Sequence, residues 1–231
     1  MLVQYGGGIL DARGSIGGQV HSKNRYGNYV RARTTPVNPN SMRQNAVRDD
    51  LSNVVALWGN TLTQAQRDQW GVYAAAIPRS NKLGQTVFHT GFNWFVGNNV
   101  MRLQNGVAVV PAGPATLSLP VPDSAFDVAV DETNQEIEVT FDDTMEWLDE
   151  DGGAMQIQMG MPQPATREFF NGPWRIAGTI LGDSITAPTT PATIPVPFPV
   201  QEGQRVYVKA RITRLDGRVS DFFRVTTLVI A

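Results

Sequence analysis

Four prolines, Pro111, Pro114, Pro120 and Pro122, separate two halves of the chain whose apolar residues repeat with different periods. Before them the spacing is that of one helix face, three to four residues; after them it is two, as one strand face requires. A single helical bundle and a single sheet protein are both excluded, and the fold class expected is α+β. Residues 109–122, rich in proline and small side chains, read as a semi-rigid linker or the leading edge of the β domain.

The halves also differ in charge. Residues 1–115 carry 11 Lys/Arg and 4 Asp/Glu, whereas residues 116–231 carry 8 and 17, so the overall −2 divides into +7 and −9. The first half is expected to meet an acidic surface while the second faces water; a chance split over two solvated surfaces is the alternative. No run of about 18 apolar residues and no basic start leading to an apolar stretch is present, so the chain is read as neither membrane-spanning nor signal-sequence secreted. With no cysteine, disulfides, thiolate metal sites and cysteine nucleophiles fall away together, and assembly in the cytoplasm fits best.

Residues 1–40 do not read as a free-standing domain. Gly6, Gly7, Gly8, Gly14, Gly17 and Gly18 lie among few apolar side chains, too little surface to offset the entropy of ordering. Gln19 to Lys23 and Asn28 to Arg33 alternate about a turn at Asn24 to Gly27, which predicts a hairpin on an otherwise extended arm, ordered only on a partner. Pro36 and Pro39 keep the following stretch extended.

Residues 41–108 read as a helical region. Ser41 with Gln44 is a capping-box pair, and Val47, Leu51, Val54, Val55 and Trp58 form a stripe closed by Gly59 as C-cap. Thr63 with Gln66 repeats the start signal ahead of Trp70, Tyr73, Ala74 and Ile77, with Pro78 beyond. A third helix is predicted from Phe92 to Gln104, with Phe92, Phe95, Val96, Val100 and Leu103 on one side and Asn105-Gly106 as its stop. Residues 123–231 then hold seven short alternating runs, 126–130, 136–141, 155–159, 174–177, 193–198, 205–212 and 222–230, which predict a β-sandwich.

Two resemblances add to this reading. The stretch from Gly203 through Tyr207 to Asp216-Gly217 and Ser220 resembles the F strand, turn and G strand of fibronectin type III modules, which implies an immunoglobulin-like sandwich with Tyr207 anchoring a corner. Phe141 stands where that family usually has a B-strand tryptophan. Residues 14–70, through Gly14-Ser15-Ile16-Gly17-Gly18, Tyr29-Val30-Arg31, Pro36-Val37-Asn38-Pro39, Trp58 and Leu62 to Trp70, are similar to a group of phage-associated and bacterial proteins that often continue into immunoglobulin-like modules. That similarity implies a virion protein of a tailed bacteriophage, a capsid decoration or cement protein or a head-tail or tail accessory protein. Its implied partners are other virion proteins and copies of itself.

No constellation for catalysis emerges, and the chain is expected not to be an enzyme. His21 and His89 have no nucleophile positioned by sequence. The acidic run Asp142, Asp143, Glu146, Asp149, Glu150 and Asp151 fails as a calcium loop, because an EF-hand opening at Asp149 needs glutamate where Gly160 stands; a solvated loop is expected, and no cofactor or metal. The glycine-rich segment lacks the Lys-Ser/Thr of a phosphate loop.

Binding is the better prospect. Arg25, Arg31, Arg33, Arg43 and Arg48, interleaved with Tyr26 and Tyr29, suit either nucleic-acid phosphates or an acidic protein surface; the protein is favoured because no nucleic-acid reader fold is recognisable. Arg25, Tyr26, Tyr29, Arg31, Arg33 and Arg43 are the candidate partner-binding residues. Phe169, Phe170 and Trp174 around Asn171-Gly172-Pro173 suit a strand-edge core, or a loop tip that stacks on sugar or protein. An adhesin that binds carbohydrate or a receptor through sandwich loops is accordingly the alternative function.

Overall fold

The computed structural model describes residues 1–9 and 11–231 and combines three helices with antiparallel sheets. The N-terminal segment departs from the extended arm expected for it. Strands β1 (Leu2–Val3), β2 (Gly14–Ile16), β3 (Gln19–Asn24) and β4 (Gly27–Ala32) form one sheet in the order β1-β4-β3-β2. The expected hairpin is its centre, with Ser22 opposite Tyr29, and Leu2 pairs with Tyr29 from the other side. Backbone pairing supplies what the scarce apolar side chains do not, and the stretch from Arg33 to Ser41 has no helix or strand.

Helices α1 (Met42–Asn60) and α2 (Gln64–Ala76) begin as their capping boxes require, with Ser41 and Thr63 accepting the Gln44 and Gln66 amides. Gly59 is not a C-cap. It stays helical without a positive φ, and the helix closes where Leu57 O accepts both the Thr61 and Leu62 amides. Of the α1 stripe only Val54 is fully buried; Val47, Leu51 and Val55 remain 40–45% exposed because nothing among the described residues covers that face. A short hairpin, β5 (Pro78–Ser80) with β6 (Thr86–Phe88), leads to α3 (Gly91–Gln104), N-capped by Thr90 and ended at Asn105.

An aromatic core joins the three helices. Trp70 meets Phe95 edge-on at 5.7 Å, Tyr73 meets Trp94 at 5.3 Å, and Trp58 tilts against Phe95 at 5.3 Å, each geometry favouring ring edges on ring faces. Burial pushes the Tyr73 phenol up to about 12.

All seven C-terminal strands are present. β7 (Asp127–Asp131), β8 (Glu136–Thr140) and β11 (Ala192–Pro195) form a three-stranded sheet in the order β11-β8-β7. The strands β9 (Ala154–Gly160), β10 (Trp174–Leu181), β12 (Arg205–Thr213) and β13 (Phe223–Leu228) form a four-stranded sheet, β10-β9-β12-β13. Val128, Val130, Ile137 and Val139 of the first share a core with Met155, Ile157, Met159, Val206, Val208 and Ile212 of the second. The Tyr207 hydroxyl donates to Arg167 O in the loop after β9, so it anchors that loop rather than the turn before its own strand.

The stretch 109–122 is not a free linker, because its backbone is bonded to the helices. Trp70 Nε1 donates to Pro111 O at 3.0 Å, and Asn99 Oδ1 accepts from Val110 N at 2.7 Å. The helices meet the four-stranded sheet through polar groups. Arg102, 2% exposed, donates to Ala108 O, Gly152 O and Arg214 O at 2.7, 3.2 and 2.6 Å. Asn98 donates to Gly217 O at 2.9 Å, and Asn105 Oδ1 accepts from Gln156 at 2.7 Å.

The acidic run is only partly solvated. Trp147 and Leu148 inside it are buried in the core, and Glu150 accepts both ends of the Arg214 guanidinium at 2.9 and 2.6 Å. Burial raises the Glu150 carboxyl, but the Arg214 fork and the Leu215 N–H outweigh it and hold the group below its ordinary value. Among the described residues no helix is long and apolar enough to cross a membrane.

Candidate partner-binding surface at the N-terminal sheet

The six candidate residues divide into two sets. Tyr26 is turned inward, onto the chain's own helices. Its hydroxyl lies 2.8 Å from His89 Nδ1 and accepts from Asn93 Nδ2 at 3.0 Å, while the two rings meet edge-on at 5.3 Å. Tyr26 is therefore corrected from a partner-facing residue to a pin that docks the sheet, a role hidden in sequence by the 63 residues between it and His89. Tyr29 is half-buried beside it. Both tyrosines wall a cleft of about 430 Å³ between the sheet and β5, with Arg79, Lys82 and His89 opposite. Arg79 is already committed, to Asp221 and to the Trp94 face at 4.9 Å, which leaves Lys82 as the cleft's exposed cation.

Arg25, Arg31, Arg33 and Arg43 form the second set. Each is exposed, and none makes an ion pair among the described residues. Arg31 and Arg33 lie at and just past the end of β4; Arg43 opens α1. Arg48 is not available in the same way: it donates to Asn38 at 2.7 Å and to Asn40 and Asn45, strapping the extended stretch to α1. Arg43 opens the helix that carries the exposed Val47, Leu51 and Val55, so free charge and free apolar surface share α1.

His89 gives the docking a pH dependence. Because the Asn93 amide donates to the Tyr26 oxygen, the phenol proton is left for Nδ1, which requires a neutral imidazole. Burial, then the charges of Arg79 and Arg25, push the imidazole below its ordinary value of 6.5. The unfolded or undocked ring thus takes up a proton more readily than the docked one. Docking is complete above about pH 6.5 and weakens as pH falls below that value. Protection of the Tyr29 and Val30 amides from hydrogen exchange should drop several-fold between pH 7.5 and 5.5, after correction for intrinsic exchange. His89→Gln keeps an acceptor for Tyr26 and should flatten the profile; an unchanged pH profile in that variant would refute the role of His89.

The other singled-out residues are dispersed. His21 bonds the Tyr5 hydroxyl at 2.9 Å. Phe170 is buried and stacks on Tyr207 at 5.4 Å, whereas Phe169 is 72% exposed, so the sequence alternatives of core and loop tip are divided between neighbours. Among the described residues no group of three His, Cys, Asp or Glu side chains is placed to hold a metal ion. Sequence reasoning missed Asn98, Asn99, Arg102 and Asn105, although they recur at helical spacing; a search for apolar stripes passes over a polar one. No family model, no curated protein and no solved structure matches the chain.

Proposed function

We propose that the chain is a non-enzymatic structural protein of a tailed bacteriophage virion, a capsid decoration or cement protein or a head-tail or tail accessory protein, assembled in the host cytoplasm. Its basic N-terminal region grips an acidic surface of a neighbouring virion protein, and an immunoglobulin-like sandwich faces outward. The exposed Arg31, Arg33 and Arg43, none in an ion pair among the described residues, carry this reading together with an α1 face on which Val47, Leu51 and Val55 are 40%, 45% and 40% exposed. Exposed ion pairs contribute only about 0.2–1 kcal/mol each, so burial of such an apolar face supplies the affinity that arginines alone do not. The sheet orders β11-β8-β7 and β10-β9-β12-β13 agree with the division of a fibronectin type III sandwich into three and four strands, which supports the outward module's assignment.

The double variant Arg31→Glu, Arg33→Glu should assemble onto particles at markedly lower occupancy while its sandwich remains folded by circular dichroism. The loss should be steeper at low salt, where repulsion from an acidic partner is least screened. Unchanged occupancy at low ionic strength, read from particle composition, would overturn the proposal.

A further inference from the structure

The outer face of the four-stranded sheet gathers Lys209, Arg211 and Arg224, to which no carboxylate is paired among the described residues; Arg211 alone has a side-chain acceptor, Gln156 Oε1 at 3.1 Å. Lys209 and Arg224 are direct cross-strand partners, an arrangement that like charges disfavour. Arg211 lies two residues along β12 on the same face. Two rings lie against the three charges: Lys209 Nζ is 4.5 Å from the Trp174 ring centre and 4.0 Å from that of Phe222, with Arg224 5.5 Å from Trp174 and Arg211 4.7 Å from Phe222. Such contacts leave the charge in place.

The half of the chain that holds this cluster has 17 acidic residues against 8 basic ones. Even so, none of Lys209, Arg211 and Arg224 makes an ion pair among the described residues. Burial, and then Arg224 and Arg211, push the Lys209 ammonium down to about 8. An anion arriving here would find its counter-charges assembled.

A cavity of about 200 Å³ opens beside the cluster, lined in part by Glu168, Phe169, Phe170, Trp174, Arg224 and Thr226. That is smaller than the roughly 300–1,000 Å³ of a site for drug-sized ligands and suits a single ring. Half-buried Trp174 and exposed Phe169 offer apolar ring faces, Glu168 and Thr226 offer acceptors for hydroxyls, and the Arg224 fork matches a carboxylate or sulfate.

We propose that this face binds an acidic saccharide, with a sugar ring stacked on Trp174 and its carboxylate or sulfate group held by Arg224 beside Lys209 and Arg211. Stacking rings and cations also suit single-stranded nucleic acid. The carboxylate wall at Glu168 and the net −9 of residues 116–231 oppose a continuous phosphate backbone and favour a ligand whose charge is confined to one or two groups. The site lies on a different sheet from Arg31 and Arg33, so it stands or falls independently of particle docking.

Titration calorimetry on the intact chain tests it, with a uronate trisaccharide, a sulfated trisaccharide, a neutral trisaccharide, inorganic sulfate and an oligothymidylate as probes. At least one acidic trisaccharide should bind at least tenfold more tightly than the neutral one, and the tighter of the two identifies the acid group. Arg224→Gln, at an exposed position that leaves folding intact, should weaken binding at least tenfold. Trp174→Leu, checked for folding by its melting curve, should weaken it comparably. The proposal is overturned if neither acidic trisaccharide binds, if the neutral sugar, sulfate alone or the oligothymidylate binds as tightly, or if Arg224→Gln changes nothing.

Discussion

Substitution of Arg102 by Met is expected to destabilise the chain by on the order of 3 kcal/mol and to turn one thermal transition into two. Arg102 is 2% exposed and faces three carbonyls, Ala108 O, Gly152 O and Arg214 O, without a carboxylate hydrogen-bonded to it. Arg214 O keeps the Gly217 N–H as a donor at 3.0 Å, so the loss falls on Ala108 O and Gly152 O, and a buried carbonyl left without a donor costs about 1–3 kcal/mol. The relief of no longer burying a guanidinium, whose pKa burial already lowers, offsets part of that. The three carbonyls belong to the link after α3, the loop before β9 and the turn after β12, so one side chain fastens the helices to the sandwich. Asn98 and Asn105 still bridge the seam in the variant, but Met supplies no donor between them. Calorimetry should resolve an early helical transition from a later sandwich transition, and Arg102→Lys, which keeps the charge but not the fork, should fall between. A single transition shifted by less than about 1 kcal/mol would mean that the seam is held elsewhere.

The same seam explains which parts of the fold were legible in the sequence. Capping boxes at Ser41 and Thr63 depend on residues three apart, and the β strands on a period of two, so both survive without knowledge of tertiary structure. Burial of Asn98 and Arg102 depends on carbonyls up to 119 residues away, and that of Asn105 on the Gln156, Thr179 and Thr213 side chains, none of which a local pattern encodes. Only the central hairpin of the N-terminal sheet is legible, for a related reason. Its outer strands, Leu2–Val3 and Gly14–Ile16, are too short to show alternation, and they exist only because β4 and β3 offer edges. The α1 stripe is legible as an apolar face, but its partial exposure is not, since periodicity identifies a face without identifying what covers it. At the candidate site Tyr26 is drawn inward by a distant histidine, whereas Arg31, Arg33 and Arg43 are exposed.

The largest effect on the sandwich is expected from a single methyl group at Gly182. A Cβ built there lies 2.1 Å from Trp147 O and 2.8 Å from Glu150 O, both backbone atoms with no rotamer to yield. The close approach is itself hydrogen-bonded, Gly182 N to Gly153 O at 2.9 Å and Asp183 N to Leu148 O at 2.8 Å, so separating the strands breaks these bonds too. Displacing this loop would draw Trp147 and Leu148, each 1% exposed, out of the core and Glu150 away from Arg214. Gly182→Ala should therefore cost more than about 3 kcal/mol by urea denaturation, the upper end for overpacking. Gly203 supplies the contrast. Its φ of +76° is left-handed, yet nothing lies within 4 Å of its Cβ position, so Gly203→Ala should cost only the about 1–2 kcal/mol of backbone strain. Gly153 contests the same Trp147 carbonyl, also at 2.1 Å. Once Gly182→Ala has displaced that loop, Gly153→Ala should add little, giving a strongly non-additive pair. Equal costs at Gly182 and Gly203, or simple additivity with Gly153, would show that the loop moves aside without drawing Trp147 out of the core.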